Sequence, residues 1–325
     1  MISEALRRAF TAIAPNRSHD SWIAGSCVLA GLIDRAPNDV DIHHVSMMAF
    51  TKAFDDDIHA MVTANFTLIS LQESASEWEA VLMHSSGTLT MNWVLEPQRP
   101  LVIIGDPLMG FRAGISDVVT RKIGMARNDR LQKHKSDLYA LLSQGTKITD
   151  ELDPRQLALA LFDLDSKLWH MDIAKLPSHL ELELFRALVT DITGFKDIEK
   201  RLVEENLSIV RREKESVGDL NRLLCFYGEV RARNHAPMRD AEFAQLLRDV
   251  GLLETAQQII YLFFLGAIRS NGAWKRCGWH QHQAALVWAA MGIHAPMTRG
   301  AGEYGDWAFN PGQPNQIEEA DGGRP

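Results

Sequence analysis

In this 325-residue chain, the residues best suited to take part in a chemical reaction are two aspartates on one predicted strand. The segment from Asp39 to His44 alternates polar and apolar side chains, so Val40 and Ile42 would face one way while Asp39 and Asp41 face the other. Side chains two positions apart on a strand are roughly 6–7 Å apart. Because Mg²⁺ is usually held by one or two carboxylates together with substrate phosphates, this pair predicts a metal-binding platform.

A glycine–serine pair stands twelve residues before the aspartates. Gly25 and Ser26 open a short apolar segment, residues 27–33, that is predicted to be helical. Backbone N–H groups at a helix N-terminus bind phosphate, with support from the helix dipole. A lone Gly-Ser is commonly a turn and a lone pair of acids is commonly solvated. Their order and spacing together predict a phosphate site beside a metal platform, the combination that phosphoryl or nucleotidyl transfer requires.

The pattern of Gly25-Ser26, twelve residues and Asp39-Val40-Asp41 resembles the signature of the DNA polymerase beta-like nucleotidyltransferase superfamily. Two later segments, RKIGMAR around Lys122 and KSDLYAL around Asp137, resemble motifs of the nucleotidyltransferase toxins of the abortive-infection AbiEii type. Those toxins belong to type IV toxin–antitoxin systems. The resemblance covers about residues 20–145.

This resemblance implies an enzyme that moves a nucleoside monophosphate from an NTP to an acceptor and releases pyrophosphate. Lys122 would offset the charge of the leaving phosphates, and Asp137 would orient the acceptor hydroxyl or hold Lys122. The implied catalytic residues are Asp39, Asp41, Lys122 and Asp137, the implied nucleotide-binding residues are Gly25, Ser26 and Lys122, and the implied metal ligands are Asp39 and Asp41. The implied cofactor is Mg²⁺, and the implied partners are an NTP, an RNA acceptor, tRNA especially, and a cognate antitoxin protein.

Two positions depart from the pattern of these families. The superfamily often has a third acid on a later strand, where this chain offers Asn92. An amide oxygen can coordinate a metal ion, but it cannot act as a base. The toxins often carry a second aspartate three residues after the first aspartate of the Asp-Leu-Tyr motif, and this chain has Ala140 at that position.

Other functions fit the same residues. A small-molecule nucleotidyltransferase of the antibiotic-modifying kind uses the same platform, so the motifs do not separate it from an RNA-modifying toxin. In a non-catalytic nucleotide-binding or interaction protein, Asn92 would mark the loss of activity. A basic cluster between Arg121 and Lys135 would either bind a polyanion such as a tRNA acceptor end or form a solvated helix face.

The elements that position these residues divide the chain into two predicted domains. Residues 1–148 mix helical periodicity with several strand-like runs, which predicts an α+β nucleotidyltransferase fold with a small mixed sheet and flanking helices. Residues 149–295 show only helical periodicity and predict an all-helical domain. Residues 296–325 are rich in Gly, Pro, Asn and acidic residues and predict a flexible tail.

The composition is that of a globular protein: 46% of the residues are hydrophobic and 23% are charged, which argues against a disordered chain. The net charge of −8 argues against non-specific electrostatic binding of nucleic acid over the whole surface. Three widely separated cysteines without a CxxC motif predict neither a disulfide framework nor a zinc site. The N-terminus lacks the apolar core of a signal peptide, and the longest apolar run is too short to span a membrane. We therefore expect a cytoplasmic protein without a membrane segment.

Overall fold

The chain divides into two compact units, Met1–Leu164 and Asp165–Pro325. The computed structural model describes residues 2–128, 132–144, 150–165, 176–233, 240–270 and 273–291. The predicted domain boundary after residue 148 and the predicted tail at 296–325 lie outside these ranges.

The first unit is a mixed sheet with helices around it. Its strands are β1 (Ser21–Ala24), β2 (Asp39–His44), β3 (Thr67–Glu73), β4 (Glu77–His84), β5 (Gly87–Leu95), β6 (Ile103–Asp106) and β7 (Gly110–Ala113). Its helices are α1 (Glu4–Ile13), α2 (Gly25–Val28), α3 (Met47–Thr63), α4 (Ile115–Ala126), α5 (Lys133–Ser143) and α6 (Pro154–Leu164). The strands form one sheet in the order β3-β4-β5-β2-β1-β7-β6. This architecture confirms the predicted α+β class.

Strand β2 lies inside this sheet, antiparallel to β1 and parallel to β5. The register places Asp41 beside Asn92 of β5. Val40 and Ile42 are fully buried, whereas Asp39 and Asp41 are half-buried, so the burial alternates along the strand. The two aspartates therefore share one face of the sheet, as the alternation predicts.

A buried ion pair fixes helix α3 behind the opposite face of the sheet. The side chains of Arg17 and Asp57 are both inaccessible to solvent. The carboxylate of Asp57 also accepts hydrogen bonds of 2.8 Å from Asn16 and from the indole of Trp93 on β5. Burial raises the pKa of Asp57, while Arg17 and the hydrogen bonds favour its charged form. The network ties α3 to the sheet without exposing a charge to solvent.

Three strands of the first unit have no counterpart in the sequence prediction. Strands β1, β6 and β7 are four residues long each, which is too short for a period of two to be recognised. Strand β1 is also buried along its whole length, so it shows no polar alternation. The helix predicted at residues 27–33 is shorter, because α2 ends at Val28 and turns follow it.

The second unit is helical where the structure describes it, apart from one hairpin. Its helices are α7 (Ser178–Thr193), α8 (Lys200–Arg212), α9 (Lys214–Val217), α10 (Leu220–Arg233), α11 (Asp240–Asp249), α12 (Leu253–Leu265), α13 (Trp279–Gln283) and α14 (Leu286–Met291). Strands β8 (Ala267–Ser270) and β9 (Ala273–Arg276) pair as an antiparallel hairpin. Among the described residues, no helix has both the length and the apolar character needed to cross a membrane.

The β8–β9 hairpin corrects the expectation of an all-helical domain over residues 149–295. Helix α12 ends at Leu265, and the capping residue Gly266 has a left-handed φ of +63°. A Cβ at this position would lie 2.6 Å from the backbone nitrogen of His282. The close approach therefore requires glycine, and the chain leaves the helix there.

Candidate active site

The glycine–serine turn and the aspartate strand are in direct contact. Strand β1 leads into Gly25, which has a left-handed φ of +67°. A Cβ on Gly25 would lie 1.8 Å from Oδ2 of Asp41, so no side chain fits between them. Glycine thus serves twice here, once for the backbone conformation and once for the space that the carboxylate occupies.

The side chain of Ser26 faces two cations. Its Oγ accepts a hydrogen bond of 2.6 Å from Nη2 of Arg35 and a longer one of 3.4 Å from Nζ of Lys122. Lys122 is only 3% exposed, although it lies on helix α4. It is therefore a buried cation directed at the serine turn and not a lysine of the helix surface.

Asp137 holds both cations in place. It accepts two hydrogen bonds from the guanidinium of Arg35, each 2.8 Å long, and one of 2.7 Å from Lys122. Burial alone would raise the pKa of Asp137, but the hydrogen bonds from Arg35 and Lys122 lower it overall. Because two cations surround one carboxylate, positive charge remains beside Ser26, and this suits an anionic ligand.

Arg35 is a residue of this site that no motif predicts. It stands in the turn between α2 and β2, four residues before Asp39 and 102 residues before Asp137. Its pKa is raised mainly by the hydrogen bond to Asp137, with a smaller effect from the charge of Asp39. The one sequence signal is a single cation between the glycine–serine pair and the aspartates, and such a residue is ordinary in a turn.

Asn92 lies beside Asp41 and adds an amide group to the sheet face that carries the two aspartates. Its Nδ2 donates a 3.0 Å hydrogen bond to Oδ1 of Asp41. Its own Oδ1 is buried and has no hydrogen-bond partner among the described residues. Carboxylate and amide oxygens are the hard ligands that Mg²⁺ prefers, so Asp39, Asp41 and Asn92 together fit this ion.

The described residues include no group of three or more His, Cys, Asp or Glu side chains that could hold a metal ion. A site with two carboxylates is still compatible with Mg²⁺, which usually retains waters and binds substrate phosphates.

Cys27, which follows the glycine–serine pair, is fully buried. Its thiol donates a 2.9 Å hydrogen bond to the backbone carbonyl of Asp39. Burial, reinforced by the charges of Asp41 and Asp39, raises the pKa of Cys27 well above its usual value. The thiol stays protonated, and a protonated thiol is a poor nucleophile.

His43 shares the face of Asp39 and Asp41 but is held by another group. Its Nδ1 lies 2.6 Å from Oε2 of Glu96, which also forms an ion pair with Arg121. Burial alone would raise the pKa of Glu96, but His43 and Arg121 lower it to about 2. The charged Glu96 therefore fixes the ring of His43 at the end of β2.

The basic cluster between Arg121 and Lys135 is not a single exposed face. Arg121 is paired with Glu96, and Lys122 is buried in the site described above. The exposed Arg127 forms a 3.2 Å ion pair with a carboxylate on helix α6. Since much of this charge is already paired within the protein, the cluster gives little support to a polyanion-binding face.

Comparison with known proteins adds little to this geometry. No protein-family profile matches the chain, and no curated protein matches it. A search of solved structures finds a crystal structure from H. pylori that carries a provisional nucleotidyltransferase assignment. It is 15% identical, covers 64% of this chain and 95% of that chain, and has a TM-score of 0.37. A match with so low a score does not assign this chain to the family of that protein.

Proposed function

We propose that this protein is a Mg²⁺-dependent nucleotidyltransferase that moves a nucleoside monophosphate from an NTP to an acceptor hydroxyl. The proposal is carried by one unbroken set of close contacts, which runs from Asp41 to the glycine–serine turn and on to Lys122 and Asp137. Four segments of the chain thereby contribute carboxylates, a serine, the buried Lys122 and the half-buried Arg35 to one site. This combination matches the charge pattern of an NTP with its metal ion.

The two halves of the site would perform different tasks. Asp39 and Asp41, with the free amide oxygen of Asn92, would hold Mg²⁺, which supplies charge compensation on the phosphates and activates the acceptor hydroxyl. Lys122 and Arg35 would bind the phosphates on the other side, next to the hydroxyl of Ser26. The excess of positive charge there would stabilise the leaving pyrophosphate as it separates.

The reaction balances without a further reactant. The acceptor oxygen forms a bond to the α-phosphorus, and the bond from that phosphorus to the bridging oxygen of the β-phosphate breaks. The acceptor proton is released to solvent, and pyrophosphate leaves. Because Asp137 is occupied by Arg35 and Lys122, its contacts favour positioning of these cations over contact with the acceptor.

We infer that the acceptor is RNA, tRNA especially, and that the chain acts as the toxin of a pair with a cognate antitoxin. This part depends on the resemblance of the segments around Lys122 and Asp137 to AbiEii-type toxins. It is supported by the 2.7 Å contact between Lys122 and Asp137, since both residues then belong to one site.

A transfer assay with NTPs labelled on the α-phosphate tests the enzymatic proposal. The full-length protein, Mg²⁺ and each NTP are incubated with total tRNA or, separately, with aminoglycosides. We expect labelled tRNA, and a loss of labelling of at least about 100-fold in Asp39→Asn and Asp41→Asn. Asp34→Asn is the matched control, because Asp34 is an exposed acid in the neighbouring turn.

The outcomes of this assay separate the candidate functions. Label on the aminoglycoside and none on RNA would identify a small-molecule nucleotidyltransferase. If no acceptor is labelled and no pyrophosphate is released, the enzymatic proposal is wrong. The toxin role is tested by inducing the chain in growing cells: growth arrest by the wild type but not by Asp41→Asn supports it, and normal growth with both contradicts it.

A further inference from the structure

The β8–β9 hairpin presents an exposed aromatic ring between two arginines. The register pairs Arg269 with Trp274 and Ala267 with Arg276, so Arg269, Trp274 and Arg276 lie on one face of the hairpin. Trp274 is 55% exposed, and both arginines are exposed. We call these three residues the hairpin surface.

The arginines of the hairpin surface differ from the others in the second unit. Of the arginines that the structure describes between residues 176 and 291, only Arg269 and Arg276 have side chains without a hydrogen-bond or ion-pair partner. The neighbouring Lys275 lies on the other face of the hairpin and is paired with Glu213 at 2.6 Å. Two unpaired guanidinium groups are thus concentrated on one small surface of an acidic chain.

The hairpin surface is held in place from behind. Gln258, which is 4% exposed, donates a 2.9 Å hydrogen bond to the carbonyl of Arg269 and accepts one of 2.8 Å from its amide. Ile268 is fully buried beneath the hairpin. The ring of Trp274 meets the ring of Tyr261 at an angle of 79°, with centroids 5.1 Å apart. An exposed indole that is fixed in this way loses little conformational freedom when a ligand stacks on it.

We propose that the hairpin surface binds single-stranded RNA. One base would stack on Trp274, and the guanidinium groups of Arg269 and Arg276 would contact phosphates on either side of it. Aromatic rings combined with a positive surface are the usual means of binding single strands, and arginine is well suited to phosphate. A ring between two cations matches the alternation of base and phosphate, which favours RNA over an acidic protein. The inference deepens the proposed function, because it names a surface for the RNA acceptor.

Binding of a fluorescein-labelled, unstructured 12-nucleotide RNA tests the inference. Fluorescence anisotropy of the full-length protein is measured without NTP and at several salt concentrations. Trp274→Ala should weaken binding by at least about fivefold, the lower end of the range for loss of one stacked base. The double variant Arg269→Gln, Arg276→Gln should lower the slope of log K against log salt by about 1.4, since each phosphate contact on a single strand contributes about 0.7.

A double variant with the same change in charge is the control. Arg201 and Arg233 are exposed and paired with Glu205 and Glu229, so Arg201→Gln, Arg233→Gln should bind RNA within about twofold of the wild type. Equal losses in both double variants would overturn the inference, because net charge alone would then explain the binding. Wild-type affinity in Trp274→Ala, or an acidic peptide bound through the hairpin surface in place of RNA, would overturn it as well.

Failure of this inference and failure of the proposed function give different results. RNA binding that depends on Trp274, without any nucleotide transfer by the wild type, supports the hairpin surface and contradicts the enzyme. Transfer to RNA with no effect of the hairpin variants on binding supports the enzyme and contradicts the hairpin surface.

Discussion

The α-carbon of Gly25 faces the carboxylate of Asp41 so closely that a Cβ would lie 1.8 Å from Oδ2. Gly25→Ala must therefore displace the aspartate or the turn. We expect at least a 100-fold loss of nucleotidyl transfer, since misplacing a catalytic group by about 1 Å has a cost of this order. The left-handed backbone adds a loss of about 1–2 kcal/mol in the free energy of unfolding. Transfer assays and urea denaturation measure the two effects.

Gly31 provides a matched control for this substitution. It also has a left-handed φ, +86°, but a Cβ there would meet nothing within 4 Å. Gly31→Ala should therefore show the loss of stability of about 1–2 kcal/mol without the loss of transfer. If both alanine variants lose transfer equally, backbone strain and not the contact with Asp41 is responsible.

Arg35 is predicted to contact the triphosphate with its guanidinium, which Asp137 holds in position. Arg35→Lys keeps the charge but cannot reproduce the two parallel hydrogen bonds that now join Arg35 to Asp137. We expect the KM for the NTP to rise by about tenfold in Arg35→Lys and further in Arg35→Ala, which corresponds to about 1.4 kcal/mol for the lysine variant. Steady-state kinetics over a range of NTP concentrations give KM and kcat separately.

An exposed arginine serves as the comparison for this variant. Arg99 is 53% exposed and forms its ion pair with Asp20, so Arg99→Lys should leave the KM unchanged. A KM for Arg35→Lys equal to that of the wild type would show that the guanidinium contacts only Asp137 and not the substrate.

The sequence predicts the parts of the site that lie on regular elements. Strand β2 is recognised because Val40 and Ile42 alternate with acids, and the structure places them in the core as expected. The predicted strand at residues 39–44 agrees with the structure at both ends. The neighbouring strand β1 could not be predicted equally well, because its four residues are all buried and show no alternation of polar and apolar side chains.

Contacts between distant segments could not be derived from the sequence. Arg35 and Asp137 are 102 residues apart, and their hydrogen bonds depend on how α5 packs near the turn after α2. A similar limit applies to charge: the basic residues from Arg121 onward allow either a polyanion-binding face or a solvated helix face, but the fold pairs Arg121 with Glu96 and buries Lys122. Local spacing cannot indicate which charges the tertiary structure neutralises.

The buried pair of Lys122 and Asp137 is expected to contribute strongly to stability once formed. Asp137→Asn removes the carboxylate and leaves the buried ammonium of Lys122 without a counter-charge. We expect a loss of about 3–5 kcal/mol in the free energy of unfolding, the usual cost of breaking a buried ion pair from one side. Equilibrium denaturation in urea, followed by circular dichroism, measures this loss.

The exposed pair of Arg127 and Asp163 gives the reference value for the same substitution. Their side chains are 63% and 42% exposed, so Asp163→Asn should cost less than about 1 kcal/mol. Similar losses in Asp137→Asn and Asp163→Asn would show that burial of Lys122 does not determine the stability of its pair.

We expect the protein to become less stable in weak acid because of the buried His44. The residue is fully buried at the end of β2, and neither ring nitrogen has a hydrogen-bond partner among the described residues. Burial, followed by the charges of Arg17 and His43, lowers the pKa of His44 from 6.5 to about 3. In the unfolded chain the ring takes up a proton below about pH 6.5, while the folded protein excludes it until about pH 3, so stability falls with decreasing pH across this window.

Between pH 7.5 and pH 5 this single group should lower the free energy of unfolding by about 2 kcal/mol, because each pH unit below the unfolded pKa costs about 1.4 kcal/mol. His44→Leu should remove that part of the pH dependence, which urea denaturation at the two pH values measures. The exposed His59 is the control, and His59→Gln should retain the full wild-type loss. If His44→Leu and the wild type lose equal stability between the two pH values, the buried ring is not the group that makes the protein sensitive to acid.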